Sequence, residues 1–520
     1  MSRFGRSLAT LTSGVALALA FPEPDLFPLA WVALAPLLIV ATKGSVRSGF
    51  GLGLLFGIGF FGVLLYWISI VGWAAWGLLV LLEALFLGLF GAVWAAGGGR
   101  LPAWGRVLGA AALWVTVEHL RAVVPLGGFT WGQLAQSHHD ATWLLHAASL
   151  GGSWLVAFLL AAVNALFAEA FLAARKGAWS RGGVAVALAG TILAAPLLIP
   201  VTATDGETLR VAIVQGNVPR SFAGDLFDKE IAIIKSHERL TKRLEPGSVD
   251  LVVWPESAVG LDLETTPQAA AAVASAARSV QAPMIVGGNL DVGTERYKVM
   301  AFHISENGDI VDRYQKTHLV PFGEFIPARD SLGWLPLLDQ VPRDAVAGAE
   351  KTIFDIGGTP VAPVISFEGD FGSLARRRID AGGRLLVVAT NTSTWERSWA
   401  SAQHVAMSQV RAAENGVWVV HAALSGISAF IDPYGRVVHS TPLWEATVAV
   451  ETVGVSPSPT FYARTGDWLP WLCLVIVVAL GAWIVVRGRR HPAARTGTAG
   501  DDLVAGPEDS RGKAGERTEK

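Results

Sequence analysis

The sequence has very little cysteine, and among its 520 residues the only one is Cys473. A single cysteine excludes a disulfide within the chain and any metal site built from several thiolates. Cys473 stands in an apolar stretch near the C-terminus, and we expect it to be packed or to face lipid rather than to react. Nothing else in the sequence indicates a metal or an organic cofactor.

Charge is also scarce, because Asp, Glu, Lys and Arg make up 16% of the residues against about 25% in a typical soluble domain. The mean hydropathy is +0.44, and the excess of apolar side chains predicts a membrane protein. The arginines are spread in ones, twos and threes between apolar runs. This spacing does not indicate a nucleic-acid partner, and a net charge of -2 indicates no partner at all.

Eight apolar runs approach the roughly 20 residues that a helix needs to cross a bilayer. They are Leu8–Ala20, Phe27–Ala41, Gly49–Ile68, Ala74–Ala96, Val107–Val124, Ala147–Ala173, Gly183–Val201 and Trp468–Val486. The first two are short and form either two brief helices or one re-entrant hairpin. Arg3, Arg6 and the Ala-Leu-Ala ending of the first run also resemble a cleaved secretory signal. We favour a retained helix, because the next apolar run follows almost at once.

The basic residues orient these spans. Lys and Arg lie before the first span, in every second connection and after the last span, at Arg3, Arg6, Lys43, Arg47, Arg100, Arg106, Arg175, Lys176, Arg181, Arg487, Arg489 and Arg490. The alternate connections, Phe21–Leu26, Ser69–Trp73 and Pro125–His146, contain neither. The positive-inside rule then predicts cytoplasmic termini and an extracytoplasmic segment after the seventh span.

The composition divides the chain into four regions. Residues 1–204 are predicted to form a membrane domain of about seven spans, and residues 205–460 a soluble domain. Residues 461–490 hold the final transmembrane helix. Residues 491–520 are rich in Gly, Ala and charged side chains without periodicity, which predicts a disordered cytoplasmic tail.

The soluble domain alternates β-rich runs with helical patterns, which is typical of a layered α/β fold. The predicted strands are Leu209–Gln215, Asp250–Trp254, Pro283–Gly287, Val299–Ile304, Pro360–Ile365, Leu385–Thr390, Val417–Ala422 and Ser428–Ile431. The predicted helices are Lys229–Leu244, Pro267–Val280 and Ser401–Asn415.

Three polar groups stand at or near the ends of predicted strands, namely Glu256, Lys316 and Ser366. In layered α/β folds, sites gather where the carboxyl ends of strands meet, so these groups could meet there. Each also has a simpler interpretation. Glu256 could begin a helix, Lys316 could be a surface charge, and Ser366 could be a turn residue.

Several longer motifs resemble the nitrilase superfamily and, over Arg3 to Trp471, the apolipoprotein N-acyltransferase family. The motifs in the soluble domain are residues 214–218 (Val-Gln-Gly-Asn-Val), 254–257 (Trp-Pro-Glu-Ser), 314–327 (Tyr-Gln-Lys-Thr-His-Leu-Val-Pro-Phe-Gly-Glu-Phe-Ile-Pro) and 403–404 (Gln-His). Those in or beside the spans are residues 118–121 (Glu-His-Leu-Arg), 128–132 (Gly-Phe-Thr-Trp-Gly) and 462–468 (Tyr-Ala-Arg-Thr-Gly-Asp-Trp). The resemblance implies a polytopic α-helical bundle of about eight spans in a bacterial plasma membrane, with an extracytoplasmic α-β-β-α sandwich.

The resemblance also implies a two-step acyl transfer from a phospholipid to the N-terminal amine of diacylglyceryl apolipoproteins, without a cofactor. Glu256 would be the general base, and Lys316 would stabilise the oxyanion. Glu324 and Glu368 match supporting carboxylates of the family. The nucleophile position, which is cysteine in the family, is Ser366 here.

The serine leaves two alternatives to an active acyltransferase. One is a catalytically silent paralogue that binds lipoproteins, and the other is a membrane-tethered amidase or hydrolase of the nitrilase type. Further departures from the family pattern occur at Gly224, Lys298 and residues 391–395. The loop Pro125–His146 could admit acyl chains or form an interfacial aromatic belt. We expect its His138-His139-Asp140 sequence to be a solvated loop rather than a metal site.

Overall fold

The computed structural model of the chain describes residues 2–200, 206–332, 334, 336–349, 352–455 and 458–490. The predicted disordered tail, residues 491–520, lies outside the described residues.

The helices of the described part are numbered in chain order. They are α1 (Arg3–Ala18), α2 (Ala35–Ala41), α3 (Val46–Leu64), α4 (Trp73–Gly97), α5 (Ala103–Arg121), α6 (Thr142–Leu145), α7 (Ala148–Ala174), α8 (Trp179–Ala194), α9 (Leu226–Thr241), α10 (Pro267–Val280), α11 (Arg329–Leu332), α12 (Gly372–Asp380), α13 (Ala400–Asn415), α14 (Phe461–Thr465) and α15 (Trp468–Arg490). We call α1–α8 with α15 the membrane half.

Five helices of the described residues are long and apolar enough to cross a membrane, rather than the eight expected. They are Val46–Leu64, Trp73–Arg100, Ala148–Ala174, Trp179–Leu198 and Trp468–Arg487. Helices also form at the other three predicted runs. However, α1 has 16 residues, α2 has seven and follows a short 3-10 turn, and α5 carries Arg106, Glu118 and Arg121.

Glycines let the first helices of the membrane half approach one another closely. A Cβ atom on Gly14 of α1 would lie 2.0 Å from the carbonyl oxygen of Phe56 in α3. One on Gly53 of α3 would lie 2.0 Å from the carbonyl oxygen of Leu87 in α4. Small residues at such crossings allow backbone-to-backbone packing where lipid supplies no hydrophobic drive between helices. The helix α1 is therefore packed closely against α3 at Gly14.

Between the seventh and eighth apolar runs the chain forms strands. They are β1 (Thr208–Gln215), β2 (Leu251–Asp262), β3 (Met284–Val292), β4 (Arg296–Ile304), β5 (Ile310–Gln315), β6 (Asp344–Ala345), β7 (Phe354–Ile356), β8 (Thr359–Ile365), β9 (Leu385–Thr390), β10 (Trp418–Ala423), β11 (Ala429–Ile431), β12 (Val437–Ser440) and β13 (Thr447–Gly454). Every predicted strand is present, with shifted ends in most cases. The largest shift is in β2, which continues past the predicted end at Trp254.

The strands form two sheets. The first has the order β13-β1-β2-β3-β4-β5, with β6 beside β4, and the second has the order β12-β11-β10-β9-β8-β7. Ile213 and Tyr314 of the first sheet pack with Val387 and Phe430 of the second in one core between the sheets. The outer face of the first sheet packs on α9 and α10, and that of the second packs on α12 and α13. The predicted α-β-β-α sandwich is confirmed.

The helix α13 joins the sandwich to the membrane half. Gln403 Oε1 accepts hydrogen bonds from Trp67 Nε1 and Trp131 Nε1 at 3.1 and 2.6 Å. Further along the helix, Gln409 Oε1 lies 3.0 Å from His139 Nδ1. Buried polar groups are matched across this junction, so it fixes the two parts relative to each other.

The prediction of a solvated loop at His138 and His139 is wrong. Both side chains are buried, and His139 Nε2 lies 2.8 Å from Asp25 Oδ1. Trp31 Nε1 donates to His138 Nε2 at 2.8 Å. The loop is buried because α13 and the first connection cover it, and local sequence carries no signal for that.

Candidate active site

Lys316 follows β5 directly and lies in the interior, where its side chain is 1% exposed. Its Nζ atom donates to Glu256 Oε1 at 3.1 Å and to Glu324 Oε1 at 2.6 Å. The backbone N–H of Val320 holds the other oxygen of Glu324 at 2.8 Å. The alternative interpretation of Lys316 as a surface charge is therefore wrong.

Glu256 lies inside β2 rather than at the start of a helix. The pairing of β2 with β3 is irregular between Trp254 and Val259, and Glu256 stands in this irregular stretch. Strand irregularities of this kind redirect side chains and are frequent next to active sites. Here the carboxylate of Glu256 meets Lys316.

The two charges alter each other's protonation. Burial raises the pKa of Glu256, Lys316 opposes this shift, and the nearby Glu324 adds to it. Burial alone would lower the pKa of Lys316, but Glu256 and Glu324 more than reverse that effect, so its pKa is raised. Lys316 is thus a fixed ammonium, and Glu256 is a carboxylate with increased affinity for a proton, as a general base requires.

Ser366 occupies the turn that follows β8 and has a φ angle of 49°. A residue with a Cβ atom is unfavourable in this left-handed region, and such strain is found where structure holds a functional side chain in place. The hydroxyl of Ser366 lies beside the carboxylate of Glu256 and lowers its pKa, against the larger effect of burial. A serine on a sharp turn after a strand, beside a base, is the geometry of an activated nucleophile.

Glu368 holds the serine turn against the lysine turn. Its Oε2 atom accepts from the backbone N–H of Ile365 at 2.9 Å. Its Oε1 atom accepts from the backbone N–H and the hydroxyl of Thr317 at 2.8 and 2.7 Å, and from the Tyr314 hydroxyl at 2.6 Å. Glu368 is completely buried, so it acts as a brace between the ends of β5 and β8.

Sequence reasoning missed a second set of polar residues behind Ser366. Thr390, the last residue of β9, donates to Ser366 Oγ at 3.2 Å. Its hydroxyl also lies 3.2 Å from His404 Nδ1, and His404 Nε2 lies 2.9 Å from Asp370 Oδ1. The strand-end rule that selected Ser366 applies equally to Thr390. The sequence identifies His404 only as part of a motif. It lies 38 positions after Ser366 in the chain, and only its helix, α13, brings it to this site.

The loop from the membrane half reaches the same place. Trp131 stacks on His404 with ring centroids 5.9 Å apart. The ring centroid of Phe129 lies 6.5 Å from that of Phe367, the residue after Ser366. A Cβ atom on Gly127, where φ is 94°, would lie 2.6 Å from the His318 ring. The loop is therefore packed against the turns that carry Phe367 and His318.

The arrangement is suited to acyl transfer. It combines a hydroxyl that can act as a nucleophile, a carboxylate beside it that can act as a base, and a buried ammonium next to that carboxylate. Among the residues that the structure describes, no group of three or more His, Cys, Asp and Glu side chains is placed to hold a metal ion.

Comparison with known proteins agrees along nearly the whole chain. The family described as apolipoprotein N-acyltransferase N-terminal domain matches residues 13–166, and the carbon-nitrogen hydrolase family matches residues 210–456. The apolipoprotein N-acyltransferase of Geobacter metallireducens is 33% identical, over 93% of this chain and 96% of the relative. That of Gloeobacter violaceus is 31% identical, over 94% and 95%. A solved amidase of the nitrilase superfamily from Nesterenkonia covers 50% of this chain and 92% of its own at 17% identity and a TM-score of 0.38.

Proposed function

The chain belongs to the apolipoprotein N-acyltransferase family, and we propose that it moves an acyl chain from a phospholipid to the N-terminal amine of diacylglyceryl-cysteine lipoproteins through an ester at Ser366. The observation that carries this proposal is the buried contact of Lys316 Nζ with Glu256 Oε1 at 3.1 Å, beside the Ser366 hydroxyl, which lowers the pKa of Glu256 against the larger effect of burial. Base and cation are thereby in direct contact, with the nucleophile beside the base.

In the first step Glu256 takes the proton of the Ser366 hydroxyl as Oγ forms a bond to the acyl carbonyl carbon of the phospholipid. Lys316 stabilises the negative charge of the tetrahedral intermediate. The bond from that carbon to the glycerol oxygen then breaks, and Glu256 returns the proton to the departing alkoxide. The products are a lysophospholipid and an acyl ester on Ser366.

In the second step the amine of the lipoprotein attacks the ester carbon. Glu256 takes a proton from the nitrogen, the bond from carbon to Ser366 Oγ breaks, and the proton is transferred to Oγ. An amide forms and the free serine is restored. The same base serves both steps, because the proton that it receives is returned each time.

The membrane placement is part of the proposal. Donor and acceptor both carry acyl chains, so the site must open close to the bilayer. The packing of the loop residues Phe129 and Trp131 against the site supports this, as do the apolar helices before and after the sandwich. We infer eight membrane segments in a bacterial plasma membrane, cytoplasmic termini and an extracytoplasmic sandwich, on the distribution of Lys and Arg.

Intact mass spectrometry of the purified protein incubated with phospholipid tests the proposal. We expect one acyl adduct, located on the peptide that contains Ser366 and absent from Ser366→Ala. Ser373→Ala is a matched control, since Ser373 is seven residues away in α12, and it should retain the adduct. Addition of a diacylglyceryl peptide should then discharge the ester to the peptide amine.

Two other outcomes would replace this proposal. No adduct on the natural protein, together with an adduct on Ser366→Cys, would indicate a silent paralogue. An ester that water discharges and that a lipoprotein amine does not accept would indicate a hydrolase.

A further inference from the structure

Three buried side chains form a line from Ser366 into the domain, with two hydrogen bonds followed by an ion pair. They are Thr390, His404 and Asp370, each at most 2% exposed. The successive separations are 3.2 Å from Ser366 Oγ to Thr390 Oγ1, 3.2 Å to His404 Nδ1, and 2.9 Å from His404 Nε2 to Asp370 Oδ1. The general base and the lysine account for none of them, and only His404 belongs to one of the motifs, which gives it no role.

Each hydroxyl has a single proton to donate, and this decides which atom donates and which accepts in each contact. The one hydroxyl proton of Thr390 is used on Ser366. Thr390 can therefore only accept from His404, so Nδ1 carries a proton. His404 Nε2 faces Asp370 Oδ1 as an ion pair, and since a carboxylate has no proton to donate, Nε2 carries a proton too.

His404 is thus an imidazolium with Asp370 as its counter-ion. Burial alone lowers the pKa of His404, but the charge and hydrogen bond of Asp370 reverse this, so its pKa is raised. The other neighbours are compatible with the charge. Trp131 stacks on the ring, and the nearby His421 is kept neutral, since burial takes its pKa well below the ordinary value.

We propose that Thr390 is a further catalytic residue, which stabilises the Ser366 alkoxide by hydrogen bonding, and that His404 and Asp370 are positioning residues that polarise its hydroxyl. The inference rests on the proposed function of Ser366 as nucleophile. All donors point the same way, from His404 through Thr390 to Ser366, so charge that develops on Oγ meets a donor that is already aligned.

This arrangement provides the stabilisation that a serine nucleophile needs and a cysteine does not. A thiol has a pKa near 8.5 and supplies some thiolate at neutral pH, whereas an alcohol depends on its surroundings. In the first step, Thr390 stabilises Oγ as Glu256 removes its proton. In the second step, it stabilises Oγ as the bond to the acyl carbon breaks, before Glu256 returns the proton. Thr390 itself keeps its proton throughout, so both steps balance as written above.

The test compares Thr390→Val in two backgrounds, the natural Ser366 protein and Ser366→Cys. Valine keeps the shape of threonine and removes the hydroxyl. The rate of acyl-adduct formation is measured on the full-length protein with vesicles of a defined phospholipid. We expect about a 100-fold slower rate in the serine background and less than about a threefold change in the cysteine background, where a thiolate needs little support. Thr390→Ser should restore most of the rate.

Thr241→Val is the matched control, because Thr241 is equally buried in α9 and also hydrogen-bonded, to Trp254 Nε1 at 2.9 Å. Its adduct rate should not change. His404→Asn should lower the rate in the serine background by about tenfold, the lesser loss expected of a residue that acts through Thr390.

The possible failures are distinct. Equal losses in both backgrounds would show that Thr390 only supports packing, and unchanged rates in Thr390→Val would show that it does nothing for Oγ. Either result overturns this inference while Ser366 still carries acyl groups. Absence of any adduct on the natural protein would overturn the proposed function as well.

Discussion

Two buried cations, Lys316 in the sandwich and Arg121 in the membrane half, have different kinds of partner. Lys316 donates to two carboxylates, at 3.1 and 2.6 Å. Arg121 donates to one carboxylate, Glu83 Oε2 at 3.2 Å, and to the carbonyl oxygens of Phe129 and Trp131 at 3.1 and 2.7 Å. Both side chains are almost completely buried.

The difference separates a reactive cluster from a structural one. Lys316 donates to two carboxylates at once, and the hydroxyl of Ser366 lies beside one of them, Glu256, whose pKa it lowers against the larger effect of burial. Around Arg121 the guanidinium is used to hold a loop whose Trp131 reaches Gln403 and His404. Arginine suits that role, because its planar fork fixes several acceptors at once and it does not release its proton.

The strongest test of the reactive cluster is Glu256→Gln. The amide keeps the size of the side chain but cannot accept the serine proton, so we expect acyl transfer to fall by about 1000-fold. The rate of adduct formation measures it. Glu264→Gln, at a carboxylate that is 40% exposed, should behave as the natural protein. A rate within tenfold of normal in Glu256→Gln would mean that another group is the base.

Removal of the cation Lys316 should have the next largest effect on the acyl-transfer rate. Lys316→Met should slow acyl transfer by about 100-fold, since it removes the charge that faces the developing oxyanion. Lys316 also opposes the upward pKa shift of Glu256, so the acidic limb of the pH profile should move to higher pH. Lys242→Met, at a half-exposed lysine paired with Glu238, should change neither. An unmoved acidic limb would contradict the coupling of the two groups.

The next largest effect should be the pH dependence of the natural protein's acyl-transfer rate. Glu256 acts only when deprotonated, and burial raises its pKa, so the protonated form persists above the ordinary carboxyl range. Activity should therefore fall as pH drops through this raised pKa, by about tenfold per pH unit. Single-turnover rates across acidic pH would measure the limb. A profile that is flat down to the ordinary pKa of a glutamate would contradict the raised value.

Arg121→Met should have the smallest effect on chemistry and a clear effect on stability. It leaves Glu83 buried without its cation, which costs about 3 kcal/mol, and it frees the loop carbonyls. Thermal unfolding in detergent should show the loss, while folded molecules keep acyl transfer within about threefold. Arg106→Met breaks the more exposed pair with Glu169 and should cost less. A loss of activity in folded Arg121→Met as large as that of Lys316→Met would remove the distinction between the two clusters.

Several features could be predicted because they depend on local pattern. The strand Leu385–Thr390 and the helix Pro267–Val280 have the predicted bounds, since an unbroken apolar run and a proline at a helix start are local signals. Glu256, Lys316, Glu324 and Ser366 were all selected from the sequence, and the structure brings them together. Five of the eight predicted spans meet the length and hydropathy of a membrane-crossing helix among the described residues. The 16-residue length of α1 and the charges in α5 set two of the others apart.

The sequence by itself determined the family, the layered sandwich, the apolar helices and the side chains that meet at Ser366, because motif spacing and hydrophobic periodicity are properties of neighbouring residues. Only the tertiary structure decided that His139 is buried, that Arg121 holds the loop to the site, and that Thr390, His404 and Asp370 stand in line behind the serine. Those relations join residues far apart in the chain, and their partners are fixed by how the helices and sheets pack rather than by any local signal. The sequence shows at a single position that serine replaces the family's cysteine. The side chains that surround this serine come from two strands, a turn and a helix.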